Sequence, residues 1–197
     1  MSENELVKLS LNKIQDWISS IYAHYYEECK PYFKDHPNFA IASAELFPLL
    51  MVFVDLDLSG SLNRDNRTKV IAPIYKLAKW KYSQESSFDF SQRMGFYADF
   101  VRGKKAKSYW CSKEKYRNNL TIVAYINMLS AFVDVVHNPN MLFNYDGAVF
   151  DSEKCESEDF QNLMIDGFFE VGYSLGAEIQ KHRAYFSDDY ISKIDKS

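Results

Sequence analysis

Apolar residues recur at helical spacing along most of the chain. Val7, Leu11, Ile14, Ile18, Ile21 and Tyr25 follow at steps of 4, 3, 4, 3 and 4, which puts them on one face of a helix. Ser2 and Glu5 ahead of them have the Ser-x-x-Glu form of a capping box, so the first helix is expected to begin there. Pro31 is expected to end it near Cys29 or Lys30. A second helix is read from Asn38 or Phe39 to about Asp57. Pro48 inside it removes a backbone donor and predicts a kink or a break, and the all-apolar run Leu49–Val54 predicts central burial.

The third helix is read over Asn66–Ser83. Val70, Ile71, Ile74, Leu77, Ala78 and Tyr82 form its apolar side, with Lys69, Lys76 and Lys79 opposite. Ser86 or Ser87 is expected to cap a fourth helix carrying Phe88, Phe90, Met94, Phe96, Tyr97, Phe100 and Val101, with Gly103 at its end. A fifth, over Lys113–Val136, has the stripe Ile122, Ile126, Leu129, Val133 and Val136. It is expected at the centre of the bundle. Met141–Glu156 is the least regular part. The last long helix, from Ser157 or Glu158 to Tyr185, contains Gly167, Gly172 and Gly176; three costly glycines predict close approach of a neighbouring backbone. Ser187 caps a short terminal helix with Tyr190, Ile191 and Ile194. Strand signals are weak throughout. The reading is an all-α fold, a single-domain bundle of about six to seven helices over residues 1–197.

Composition supports this picture. Hydrophobic residues make up 47% and charged residues 25%, a globular balance, and 14 Tyr, 15 Phe and 3 Trp assign much of the packing to aromatic rings. The cysteines, Cys29, Cys111 and Cys155, are odd in number and form no Cys-x-x-Cys pair. A thiolate zinc site has no support, and free thiols in a reducing compartment are expected. Met1–Glu5 lacks a basic start followed by an apolar run, which argues against a secretory signal. Leu120–Val136 is interrupted by Thr121, Asn127, Ser130 and Asp134 and falls short of the ~20 apolar residues of a membrane span. A cytoplasmic protein with no membrane contact is the expectation.

Charge is unevenly placed. Residues 1–63 hold 4 basic and 9 acidic residues (−5), 64–117 hold 14 and 5 (+9), and 118–197 hold 5 and 13 (−8). Residues 64–117 are thus a basic block in an acidic chain. Arg102, Lys104, Lys105, Lys107, Lys113, Lys115 and Arg117 are its densest part, interleaved with Tyr109 and Trp110. Such residues can neutralise phosphates and stack bases. They can equally pair with acidic helices of the same fold, or of a second copy in a homodimer.

Asp55-Leu56-Asp57-Leu58-Ser59-Gly60-Ser61-Leu62 resembles the start of an EF-hand loop, with oxygen donors Asp55, Asp57 and Ser59 at its first, third and fifth positions and glycine at the sixth. It departs from that pattern at the twelfth position, Asn66 in place of glutamate, and at Leu58. The plainer reading makes Gly60 a helix end, with Ser61, Asn63, Asp65 or Asn66 capping the next helix. His/carboxylate pairs one turn apart occur at His24 with Glu27 or Glu28, Asp134 with His137, and Glu178 with His182. Asp134-x-x-His137 is the nearest approach to the pattern of helical metal enzymes. No phosphate-binding glycine loop, nucleophile elbow or His-Glu-x-x-His is present.

These observations favour a non-enzymatic protein, without cofactor, that binds a protein or nucleic-acid partner through the basic block. A regulator, inhibitor or immunity-type protein would fit. The alternative is a metal-dependent helical-bundle enzyme in which Asp134, His137, Glu178 and His24 converge.

Overall fold

The structure, a computed structural model, describes residues 9–35, 37–101, 128, 131–132, 135–136, 174 and 176–194. These residues are 85% helical and contain no strand, so the fold is all-α. The order is α1 (Leu11–Cys29), a 3₁₀ turn (Lys30–Phe33), α2 (Phe39–Ser59), α3 (Arg64–Glu85) and α4 (Phe90–Val101). Helical residues 176–181, a 3₁₀ turn (Arg183–Tyr185) and α5 (Asp188–Ile194) follow.

α1 begins later than the capping-box pattern suggested. Leu9 and Ser10 are not helical, and the Ser10 hydroxyl accepts the Lys13 N–H at 3.4 Å. Ser2, Glu5 and Val7 lie outside the described residues. The rest of the stripe points inward: Ile14, Ile18 and Tyr25 are buried and Ile21 is half-buried. Pro31 ends α1 by opening the 3₁₀ turn, where its missing N–H costs nothing.

α2 is the central element, touching α1, α3 and α4, and is buried without a break from Ala42 to Val54. Pro48 does not split it. Two α1 hydroxyls donate to carbonyls around the proline, Tyr22 to Phe47 at 2.8 Å and Tyr26 to Ser43 at 3.4 Å. The Tyr26 ring also stacks on Phe47 at 4.4 Å. By length and composition α2 is apolar enough to cross a membrane, yet 72% of that apolar window is buried inside the protein.

α3 is capped by Asn63, whose side chain accepts from the Asn66 N–H at 3.0 Å. Its internal Pro73 lacks the N–H that would bond the Lys69 carbonyl. The Gln15 side chain on α1 takes that place at 2.8 Å, so the break becomes a helix-to-helix contact. α4 is capped by Asp89, not by Ser86 or Ser87. The Asp89 carboxylate accepts from the Gln92 N–H at 2.9 Å, while the Ser86 hydroxyl accepts from Phe88.

Of the expected fifth helix, Met128, Ala131, Phe132, Val135 and Val136 are described. All are helical and almost fully buried, and Asn38 donates to the Val136 carbonyl at 2.7 Å. Of its expected stripe only Val136 is among them. Of the three glycines in the last long helix, Gly176 is described, and the close approach expected there is to a side chain. A Cβ at Gly176 would sit 3.3 Å from Asp57 Oδ1. The Ser187 hydroxyl caps α5 as expected, accepting from the Tyr190 N–H at 3.2 Å.

Candidate functional site

The basic block enters the described structure through α3, where six basic residues stand against two acidic ones. Val70, Ile74, Ala78 and Tyr82 face the core at a strict four-residue spacing. Leu77, read from its spacing as part of that apolar side, instead faces outward and is 46% exposed. At 100° per residue, Pro73, Leu77 and Trp80 fall within an arc of roughly 60° on the side away from the core. Trp80, at 61%, is the most exposed of the large hydrophobic residues described. Lys76, Lys79 and Lys81 around it are exposed, and Lys69, one turn before Pro73, is half-buried. The result is an apolar strip with lysines along its edges.

This strip stands on a rigid base. Tyr82, on the inner side of α3, donates to the Glu45 carboxylate of α2 at 3.2 Å. Arg93 of α4 reaches the same carboxylate twice, through Nε at 3.0 Å and Nη2 at 2.7 Å, and the Tyr97 hydroxyl donates at 2.7 Å. Glu45 and Arg93 are 1% and 5% exposed, so one buried carboxylate ties three helices together. The Arg93 guanidinium also lies 4.4 Å from the centre of the Phe96 ring. Burial pushes the Tyr97 and Tyr82 hydroxyls up, and the Glu45 charge adds to it. For Arg93, burial opposes the charge, but Tyr97 and Glu45 outweigh it and the guanidinium is held more firmly protonated. The sequence reading missed this cluster. Its signal was Glu45, the one charged residue between Phe39 and Val54.

The EF-hand-like segment does not form a loop. Residues 55–59 are the last helical turns of α2, and α3 begins at Arg64. Asp55 pairs with Arg67 at 2.6 Å, the Asp57 carboxylate lies against Gly176, and the Ser59 hydroxyl donates to the Leu56 carbonyl. Residues two apart on a helix point to nearly opposite sides, so the three oxygens are not gathered on one point. Asn66, at the loop's twelfth position, instead donates to Asp188 at 2.8 Å. The plainer reading holds: α2 ends at Gly60 and Asn63 caps α3.

Comparison with known proteins adds nothing to this geometry. No protein-family model matches the chain, and no curated protein or solved structure is significantly similar to it.

Among the described residues, no three His, Cys, Asp or Glu side chains converge as metal ligands would. His24 is exposed on α1, while Glu178 pairs with Lys181. His182 is packed edge-on against Trp17, with ring centres 4.4 Å apart. Asp134 and His137 lie outside the described residues. So do Arg102, Lys104, Lys105, Lys107, Tyr109, Trp110, Lys113, Lys115 and Arg117. Cys29 is fully buried, and that burial, with the Glu28 charge adding to it, pushes its thiol far up, the setting of a structural core cysteine.

Proposed function

We propose that this protein works by binding an acidic protein partner through the outer face of α3, with no chemistry of its own. The observation that carries this reading is Trp80. It is 61% exposed, next to exposed Leu77, on a helix anchored from beneath by the Glu45 cluster. Leaving an indole and an isobutyl group about half exposed side by side has a hydration cost of roughly 1–2 kcal/mol per side chain relative to full burial. An apolar centre with a charged rim is the anatomy of a protein–protein contact, and tryptophan is among the residues enriched at the anchors of such contacts. The lysine rim selects for negative charge. Such charge is available on other proteins and on the acidic remainder of a second copy. A nucleic acid is the less favoured occupant, because the centre of the described face is apolar and its lysines stand at the edges, whereas affinity for nucleic acid comes mainly from basic groups set on phosphates.

The test is affinity capture from the source cells with wild-type protein, Trp80→Ala and Lys76→Glu, before and after nuclease treatment. Native mass spectrometry runs alongside. The expected result is one stoichiometric acidic protein, or a homodimer, that resists nuclease, with both substitutions weakening it at unchanged melting temperature. Loss of the partner on nuclease treatment would assign the face to nucleic acid. A partner held equally by all three proteins would remove α3 from the account.

A further inference from the structure

Where the start of α1 meets the C-terminal turn, the packing leaves a half-open pocket of about 240 Å³, lined by Leu9, Ile14, Trp17, His182, Tyr185 and Phe186. None of these residues belongs to the α3 face. The walls are set by independent contacts. Ile14 and Phe186 are core residues at 2% and 0% exposure. Trp17 lies 5.4 Å from Phe186, ring centre to centre, and 4.4 Å from His182. Leu9 is held in place by one side chain: the Tyr190 hydroxyl accepts its N–H at 2.8 Å and donates to its carbonyl at 3.3 Å. The Tyr190 ring, in turn, stands edge-on to Tyr185.

An apolar cavity of about 150 Å³ already stays dry and accepts benzene, whereas drug-sized ligands need about 300 Å³ or more. The volume here falls between those limits, which selects a ligand of one ring or two fused rings. The wall of rings favours an aromatic guest, which can meet them edge-to-face or offset. Two lining side chains, those of His182 and Tyr185, can both donate and accept a hydrogen bond, and His182 is the one set directly against Trp17, with ring centres 4.4 Å apart. It therefore favours a guest carrying one polar group on an otherwise apolar ring.

We propose that this cavity is a binding site for a small aromatic molecule, of the size and chemistry of indole, whose single hydrogen-bonding group meets the His182 imidazole. The experiment is a titration of the full-length protein with indole, read by NMR at the Trp17 side-chain N–H, which the spectrum of Trp17→Phe assigns. The titration is repeated on Ile14→Trp, which fills the cavity, and on His182→Phe, which keeps a ring but removes the imidazole. The expected result is a saturable shift at Trp17 and a raised melting temperature. Binding should be lost in the filled variant and weakened by about three- to tenfold in His182→Phe, the worth of one hydrogen bond. Benzothiophene, which matches indole in shape but lacks its N–H, should bind wild type and His182→Phe equally. Should Ile14→Trp fail to fold, as judged by circular dichroism, Leu9→Phe at the edge of the cavity replaces it. Indole that leaves Trp17 unmoved, or binds the filled variant as tightly as wild type, overturns the proposal.

Discussion

Replacing Glu45 by glutamine keeps the shape of the side chain and removes its charge, and the consequence can be worked from the contacts. The carboxylate accepts from Arg93 Nε and Nη2 and from the hydroxyls of Tyr82 and Tyr97. The amide has one oxygen to offer them, and its NH₂ group faces at least one donor. Arg93, at 5% exposure, keeps its charge without a counter-charge. Removing one partner of a buried pair costs about 3–5 kcal/mol. That is a large share of the ~5–15 kcal/mol that holds a domain folded. At ~2–4 °C per kcal/mol for a chain of this size, Glu45→Gln should lower the melting temperature by about 6–20 °C. Urea unfolding followed by circular dichroism measures the loss. A double-mutant cycle with Arg93→Met isolates the pair, and replacing both residues should cost less than the two single changes added together. A loss below ~1 kcal/mol for Glu45→Gln, or a coupling near zero, would refute the reasoning and reduce the cluster to a by-product of packing.

Other outcomes follow from other contacts. Gly95 lies within α4 with no atom of the described residues within 4 Å of the position of a Cβ, so Gly95→Ala should stabilise by about 0.5–1 kcal/mol; any destabilisation in a urea melt contradicts that geometry. Gln15→Ala leaves the Lys69 carbonyl without the bond that replaces the one Pro73 cannot give, and should cost about 1 kcal/mol, whereas a neutral result would mean solvent satisfies that carbonyl. Burial holds the Tyr22, Tyr82 and Tyr97 hydroxyls above the ordinary value near 10. Because the unfolded chain ionises first, their contribution is complete below about pH 10 and is lost as pH rises beyond it. Absorbance at 295 nm should therefore show fewer ionised tyrosines at pH 11 in native than in denatured protein, and full ionisation with the helical signal intact would contradict this. With Cys111 and Cys155 changed to serine, Cys29 should react with a thiol reagent only on unfolding, and rapid labelling of the native protein would show that it is accessible.

The helices were legible because one periodicity governs them. The Asn63 and Ser187 caps and the end of α1 at Pro31 follow from local chemistry that no distant contact overrides. What escaped notice depended on the partner's position. Ser2 and Ser10 are equally good caps by residue type, and the choice of Ser10 goes with the bonds that Tyr190 makes to Leu9. Leu77 fits the apolar spacing of α3, but the buried stripe drifts around that helix from Asn66 to Tyr82 and leaves it outside. Glu45 and Arg93 are 48 residues apart, and each alone looks like a misplaced charge. The lysine-rich character of α3 was readable from composition. The exposure of its tryptophan had the same kind of signal, since Trp80 stands off the apolar side read from Val70 to Tyr82.

The bond between Leu9 and Tyr190 joins residues 181 positions apart. Closing a loop that long costs about 2 kcal/mol more entropy than closing one a tenth as long. On the ribosome, with elongation at about 5–20 residues per second, α1 to α4 emerge and can dock several seconds before Tyr190 is synthesised. Throughout that interval the Ser10 cap of α1 can form, but Leu9 lacks the bonds that Tyr190 supplies. A chain stalled or cut before residue 190 would therefore lack the bonds that hold Leu9 in the pocket wall.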